Sequence, residues 1–261
     1  MGKDFLSVIV EHKKQEVAAA AKRIPEARLR DAAAGRVKRP FAAAMEKPGI
    51  HIIAEIKRAS PSKGAIRPDL DPAVLARQYE TGGASALSVL TETAFFKGSV
   101  DDLRQARGAV SLPVLRKDFT VSAYQLVESA AVGADAVLLI VRILTPGQLG
   151  DYLGLCRELD LDCLVEVHSE ADLETAVAAG ARLIGINNRN LSSFETDIGN
   201  AMRMVSRMTS GQIPVAASGI TDRQDIEGNL KCGIRHFLIG ESLVRSADPE
   251  EHLRRLLGGG S

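Results

Sequence analysis

Glu55 and Lys57 stand two residues apart in the run Ile52-Ile53-Ala54-Glu55-Ile56-Lys57. The apolar residues read as a buried strand, and in a strand residues i and i+2 point to the same face. One buried face would then hold an acid and an amine. Burying charge is costly and, even when paired, adds little stability, so the arrangement points to chemistry. The turn that follows, Ser60-Pro61-Ser62-Lys63-Gly64, offers hydroxyls and backbone N–H groups suited to an anion. Polar groups recur at the ends of other apolar runs: Arg116-Lys117-Asp118, Glu166-Val167-His168 and Asn187-Asn188-Arg189-Asn190. Lys57, Lys117, Glu55 and Glu166, brought together from separate strands, would form acid–base pairs able to move protons. His168 shares the face of Glu166 by strand period, and is either a base or a structural hydrogen-bonding residue.

The elements that must carry these groups alternate along the chain. Strand patterns fall at 51–56, 84–91, 114–118, 135–141, 162–167, 183–187, 214–218 and 236–239. Between them lie helical patterns opened by capping residues or proline: Asp71-Pro72, Ser122, Thr145-Pro146 and Thr221-Asp222. Glycines end several helices at Gly82-Gly83, Gly133, Gly180 and Gly233. About eight strand–helix units, repeating every ~20 to 33 residues, give the period of a (β/α)8 barrel. The strands are continuously apolar, as a parallel sheet covered by helices requires. A doubly wound open sheet lacks support, because no G-x-G-x-x-G follows the first strand. Residues 1–50 stand outside the repeat. A helix over 4–21, with Phe5, Val8 and Ile9 on one side, and another near 24–34 form an N-terminal extension closed by Phe41. It either lids the barrel or caps its bottom. The expected fold is α/β: a single (β/α)8 TIM barrel domain over 1–257 with an N-terminal helical extension. The extension is 1–50, the barrel 51–257, and 258–261 a flexible Gly/Ser tail.

Such a barrel works at the C-terminal ends of its strands, and often holds phosphate in the loops after strands seven and eight. Those loops carry Ser218-Gly219 and Gly240-Glu241, with Ser60 facing them from the first strand. Phe95, Phe96 and Phe119 gather at one rim in a chain with seven Phe and no Trp. They offer a surface for a planar aromatic ligand or pack as ordinary loop residues. Net charge is zero, which gives no reason to expect nucleic acid or an anionic membrane as partner. No apolar run reaches the ~18 residues of a membrane span, and the N-terminus lacks a signal-peptide pattern. Three cysteines, Cys156, Cys163 and Cys232, show no C-x-x-C spacing and read as reduced, mostly buried thiols in a cytoplasmic protein. No metal-ligand cluster appears, no cofactor is expected, and a monomer is the default.

The phrase Ile53-Ala54-Glu55-Ile56-Lys57-Arg58-Ala59-Ser60-Pro61-Ser62 resembles the signature of the indole-3-glycerol phosphate synthase family. So do Phe96-Lys97-Gly98-Ser99, Leu115-Arg116-Lys117-Asp118-Phe119, Gly185-Ile186-Asn187-Asn188-Arg189-Asn190-Leu191 and Phe237-Leu238-Ile239-Gly240-Glu241-Ser242-Leu243. The resemblance is collinear over nearly the whole chain, N-terminal helices included. It implies a small phosphorylated, anthranilate-derived substrate, 1-(2-carboxyphenylamino)-1-deoxyribulose 5-phosphate, closed to an indole with loss of carbon dioxide and water. It implies Lys117 as general acid at the ribulose carbonyl, Glu166 and Lys57 in the later proton transfers, and Glu55 positioning the lysines. Asn187 and Arg189 would contact hydroxyls and carboxylate. Ser60, with Ser218, Gly219, Gly240 and Glu241, would hold the phosphate, and Phe96 and Phe119 would line the ring pocket.

One position departs. The family's seventh strand usually ends Glu-Ser-Gly-Ile, whereas this chain has Ala217-Ser218-Gly219-Ile220. Ala217 should face the barrel interior, so a carboxylate of the charged cluster is missing; this either leaves a lysine less well paired and slows turnover, or is a tolerated natural variant or a deliberate substitution. Two alternatives remain at this point. A sister barrel such as phosphoribosylanthranilate isomerase fails to account for the Glu55/Lys57/Lys117/Glu166 set. A non-catalytic phosphate-binding scaffold rests on Ala217 alone.

Overall fold

Eight apolar runs form eight parallel strands in the computed structural model, which describes residues 5–189 and 196–259. They are β1 His51–Ile56, β2 Ala86–Leu90, β3 Val114–Lys117, β4 Ala136–Ile140, β5 Asp162–Val167, β6 Leu183–Asn187, β7 Ile213–Ala217 and β8 His236–Ile239. Each pairs with its sequence neighbour and β8 pairs back to β1, so the sheet closes into a (β/α)8 barrel. Four strands keep the bounds read from the sequence, and the other four differ by one or two residues at one or both ends.

Side chains alternate as the pleat requires. Ile52, Ala54, Leu87, Val89, Val165 and Ile184 face outward into the layer beneath the helices. Ile53, Ala86, Leu115, Leu138, Leu164, Val215, Ala217 and Leu238 face inward and fill the barrel. Continuing the inward set toward the C-terminal ends gives Glu55, Lys57, Lys117, Glu166 and Asn187. The same two-residue period that packs the core therefore delivers the charged groups to the mouth.

The outer helices begin where capping chemistry permits. Asp71 caps α4 (Pro72–Thr81), Ser122 caps α6 (Ala123–Ala131), Thr145 caps α7 (Pro146–Glu158) and Asp222 caps α10 (Arg223–Lys231). Ser99 and Ser169 cap α5 (Val100–Ala109) and α8 (Glu170–Ala178) in the same way. Each such bond satisfies N–H groups that the first turn leaves without helical partners.

The N-terminal extension holds α1 (Phe5–Arg23), α2 (Glu26–Ala34) and α3 (Phe41–Ala44). It both lids the barrel and caps its bottom. Leu6 and Ile9 of α1 join the interior cluster at the mouth, while Phe41 and Met45 join it at the opposite end. Val8, expected on the packed side, is 39% exposed; Leu6 takes that place. At the bottom, the fully buried Asp135 carboxylate binds the Arg107 guanidinium at 2.6 Å and the Arg39 and Val114 N–H groups at 2.8 and 2.9 Å. Arg36 donates to the carbonyls of Ala134 and Leu159, both at 2.8 Å.

At the top, the Lys13 ammonium of α1 is 1% exposed and lies 3.0 Å from Asp118 and 2.9 Å from Glu16. Asp118 also accepts from the Thr91 hydroxyl at 2.7 Å and the Phe119 N–H at 2.8 Å, and pairs with Arg116 at 3.3 Å. Burial alone would raise the Asp118 pKa, but the Arg116 and Lys13 charges more than offset it and hold it below the usual value. Burial likewise opposes the Lys13 charge, and Asp118 and Glu16 outweigh it, so its pKa is raised. A buried ion pair thus fastens α1 beside Lys117.

Among the thiols, Cys156 is buried, Cys163 half-buried and Cys232 exposed, so the expected mostly buried set is only partly right. Gly260 and Ser261 of the expected tail, Asp4 at the expected helix start, and Asn190 and Leu191 lie outside the described residues.

Candidate active site

The barrel mouth opens into a cavity of about 380 Å³, of a size for a small organic ligand. Every residue that the resemblance assigned to the site lines it: Glu55, Lys57, Lys117 and Glu166; Asn187 and Arg189; Ser60, Ser218, Gly219, Gly240 and Glu241; Phe96 and Phe119.

The charged groups form two pairs. Lys57 Nζ sits 2.7 Å from Glu55 Oε1 on the same strand. Lys117 Nζ sits 3.4 Å from Glu166 Oε2 across the barrel. Asn187 donates to Glu166 Oε1 at 3.2 Å, which fixes the other oxygen. Burial alone would raise the Glu166 pKa; the Lys117 ammonium, with His168 and the Asn187 amide adding to it, holds it below the usual carboxylate range. Glu166 is thus held ionised, facing the Lys117 amine.

Glycine at position 240 is required by this arrangement. A Cβ there would stand 2.4 Å from Glu55 Oε1 and 3.0 Å from Glu55 Cβ, so only a bare backbone lets β8 pass the carboxylate. Ala217 faces the interior as expected. The lysine it was expected to leave poorly paired is not found, because Lys57 and Lys117 each keep a carboxylate.

One side of the cavity can hold an anion. The Ser60 hydroxyl oxygen is buried with no hydrogen-bond partner among the described residues. Opposite it, Ser218 and Gly219 take successive left-handed conformations, φ +68 and +81. Ser218 is strained there, which is uncommon outside functional turns. Gly219 is needed twice, since a Cβ would also meet Thr196 Cγ2 at 2.6 Å. Gly240 and Glu241 begin the five-residue helix α11 (Glu241–Arg245). The Glu241 carboxylate is turned onto Arg245 at 3.1 Å and Arg189 at 3.9 Å, leaving the backbone as its contribution to an anion. Arg189 also donates to Ser62 Oγ at 2.5 Å, tying the loop after β1 to the loop after β6.

The other side is apolar. Phe96 and Phe119 lie with ring centroids 6.1 Å apart at a tilt of 43°. Phe95, expected beside them, instead packs edge-on against Phe5 of α1 at 5.3 Å. It holds the helix rather than a ligand. Phe5, Leu6 and Ile9 complete this wall, a contribution the sequence reading missed. The loop presenting Phe96 is shaped by Glu92, whose carboxylate accepts the N–H groups of Ala94, Phe95 and Phe96 at 2.7 to 3.0 Å. His12, Glu16 and Glu92 approach one another closely enough to suggest a cation site. Glu92 is already committed to that loop and Glu16 to Lys13, so the cluster anchors α1.

A cavity with an anion cradle, an aromatic wall and two lysine–carboxylate pairs narrows the reaction class without naming it. The sequence model of indole-3-glycerol phosphate synthase matches residues 6–256. The chain belongs to the indole-3-glycerol phosphate synthase family. Indole-3-glycerol phosphate synthases of Desulfosudis oleivorans and Syntrophobacter fumaroxidans are 59% and 53% identical to it. The aligned regions cover 97% and 98% of this chain, and 98% of each relative. Membership makes the chain a carbon–carbon lyase of tryptophan biosynthesis. Among solved structures it is similar to 3-hexulose-6-phosphate synthase from Salmonella typhimurium, with a TM-score of 0.63 at 13% identity over 80% of this chain and 97% of that one. Thiamine phosphate pyrophosphorylase from Pyrococcus furiosus gives 0.58 at 16%, over 79% and 93%. At such identities these two likenesses speak for the barrel alone.

Proposed function

We propose that this cavity closes 1-(2-carboxyphenylamino)-1-deoxyribulose 5-phosphate into indole-3-glycerol phosphate. The observation that carries the reading is the Lys117–Glu166 pair, 3.4 Å apart, set between an aromatic wall and an anion cradle. The phosphate would rest on Ser60 and the backbones of Ser218, Gly219, Gly240 and Glu241. The anthranilate ring would lie against Phe96 and Phe119, and Asn187 and Arg189 would meet hydroxyls and carboxylate. Phosphate binding is remote from the bonds that change, so it can hold ring and carbonyl together.

Lys117 then protonates the ribulose carbonyl oxygen as the ring carbon attacks it, which removes the developing negative charge. Loss of carbon dioxide from that ring carbon restores aromaticity. In the last step hydroxide must leave as water while a proton is taken from the substrate. The buried, ionised Glu166 is suited to accept a proton, and Lys57, held by Glu55, to supply one. The lining residues come from one barrel and its N-terminal helix, which supports a single-domain enzyme, and the three free thiols suit a cytoplasmic setting; a monomer stays the default. No helix among the described residues is long and apolar enough to cross a membrane.

The purified protein, given this substrate without added metal, is expected to generate indole absorbance and fluorescence. Lys117→Ala should lower kcat by about 10²- to 10⁴-fold, the usual weight of a general acid, with circular dichroism unchanged. Absence of product at high enzyme concentration sinks the reading. Near-normal turnover in the variant removes Lys117 from its role.

A further inference from the structure

His168 follows Glu166 by two residues, so strand geometry sends both side chains to the same face. Its side chain is 3% exposed, and Nε2 stands 3.5 Å from Glu166 Oε1. Neither ring nitrogen has a hydrogen-bond partner among the described residues. The ring thus makes no structural hydrogen bond among the described residues at rest. An imidazole with both nitrogens buried and unpaired is an expensive way to fill space. Its backbone N–H is held by Asp172 at 2.9 Å, so the ring is delivered to the carboxylate from an anchored position.

The division of labour on Glu166 gives this ring a task. Lys117 takes Oε2, while Asn187 and His168 face Oε1. When Lys117 turns to a substrate oxygen, Oε2 loses its partner and the carboxylate can swing. We propose that His168 is a positioning residue for Glu166: from its resting 3.5 Å it closes to donate Nε2–H to Oε1, holding the carboxylate in place while Lys117 is engaged elsewhere. The proposal rests on the reading of Glu166 as a proton-transfer group. The donor is the neutral imidazole. Burial pushes the His168 pKa down, as do Arg142 from the turn after β4 and Lys117 from β3. Glu166 on its own strand and Asp172 on α8 push it up, and burial prevails. A neutral donor steadies the carboxylate without adding a second positive charge beside Lys117.

Three variants and one spectrum test this. His168→Leu removes the donor, and His168→Gln keeps an N–H at similar reach. The leucine variant should lose about 10- to 100-fold in kcat with KM within about threefold, and glutamine should recover most of the loss. Losing a donor to the charged form raises the Glu166 pKa, so the acidic limb of kcat/KM should move to higher pH in His168→Leu. Wild-type kcat and an unmoved limb in that variant, or glutamine no better than leucine, overturns the proposal. Should the leucine variant fail to fold, ¹⁵N NMR of the wild-type imidazole decides: an Nε2–H tautomer supports the contact and an Nδ1–H tautomer refutes it. Glu166→Gln separates the two failures. Wild-type turnover there refutes the proton-transfer reading of Glu166, whichever tautomer His168 shows.

Discussion

Replacing Lys13 by methionine keeps most of the side chain's packing and removes its charge. The ammonium is 1% exposed and its partner Asp118 2% exposed, so solvent screens the 3.0 Å pair little. Removing one member of a buried ion pair typically costs about 3–5 kcal/mol, because the other charge is left uncompensated. Asp118 is not left bare, since Arg116, the Thr91 hydroxyl and the Phe119 N–H remain. That places the expected loss below the usual range, at roughly 2–3 kcal/mol. The second contact of Lys13, to the partly exposed Glu16, adds little. With an unfolding entropy of about 2.1 cal/mol/K per residue, a chain of this length should lose about 4–5 °C in Tm. Differential scanning calorimetry of wild type, Lys13→Met, Asp118→Asn and the double variant measures both the loss and the coupling.

The pH dependence follows from the two shifts. Asp118 has a lowered folded pKa, so its stabilisation is present above its ordinary value of 3.8 and is lost as pH falls through the folded value. Lys13 has a raised folded pKa, so its share is present below 10.5 and is lost as pH rises through the folded value. The gap between wild type and Lys13→Met should therefore hold across neutral pH and close at both extremes. A Tm within about 1 °C of wild type at pH 7, or additive single variants, would refute the clamp.

Other expectations follow from the site. Gly240→Ala forces Glu55 off its position and should cost about 1–3 kcal/mol in stability with a fall in kcat/KM; denaturant unfolding beside the indole assay reads both, and unchanged values would show that β8 can shift. Ala217→Glu adds a carboxylate where both lysines are already paired, so kcat should change by less than about 10-fold; a rise of about 100-fold would show the cluster incomplete. The lowered Glu166 pKa places the acidic limb of kcat/KM below 4.5, once substrate phosphate ionisation is subtracted by ³¹P titration; a limb near pH 6 that vanishes in Glu166→Gln would refute this.

Much of this was readable along the chain because it depends on neighbours in sequence. The strand period placed Glu55, Lys57, Lys117, Glu166, Asn187 and Ala217 on the inner face without knowledge of what they meet. Asp71, Ser122, Thr145 and Asp222 cap their helices because a cap bonds N–H groups two or three residues away. What escaped depends on partners about a hundred residues distant. Lys13 reads as one more solvated lysine until Asp118 lies against it. Phe95 and Phe96 are adjacent and chemically identical, and only the docking of α1 makes one a helix anchor and the other a cavity wall. Val8 and Leu6 both fit a helical apolar stripe of loose phase, and the crossing of α1 over the mouth decides between them.

The two-ended attachment of the extension has a consequence for the order of assembly. Lys13 needs Asp118, the carbonyl of Ile24 needs the Tyr124 hydroxyl, Arg36 needs the carbonyls of Ala134 and Leu159, and Lys38 needs Asp160 and Asp162. Along the chain these docking sites run from Asp118, at the end of β3, to Asp162, at the start of β5, so the extension is made before every one of them. These contacts close long loops, the slow kind to form, so the extension is made before its docking sites and settles after them.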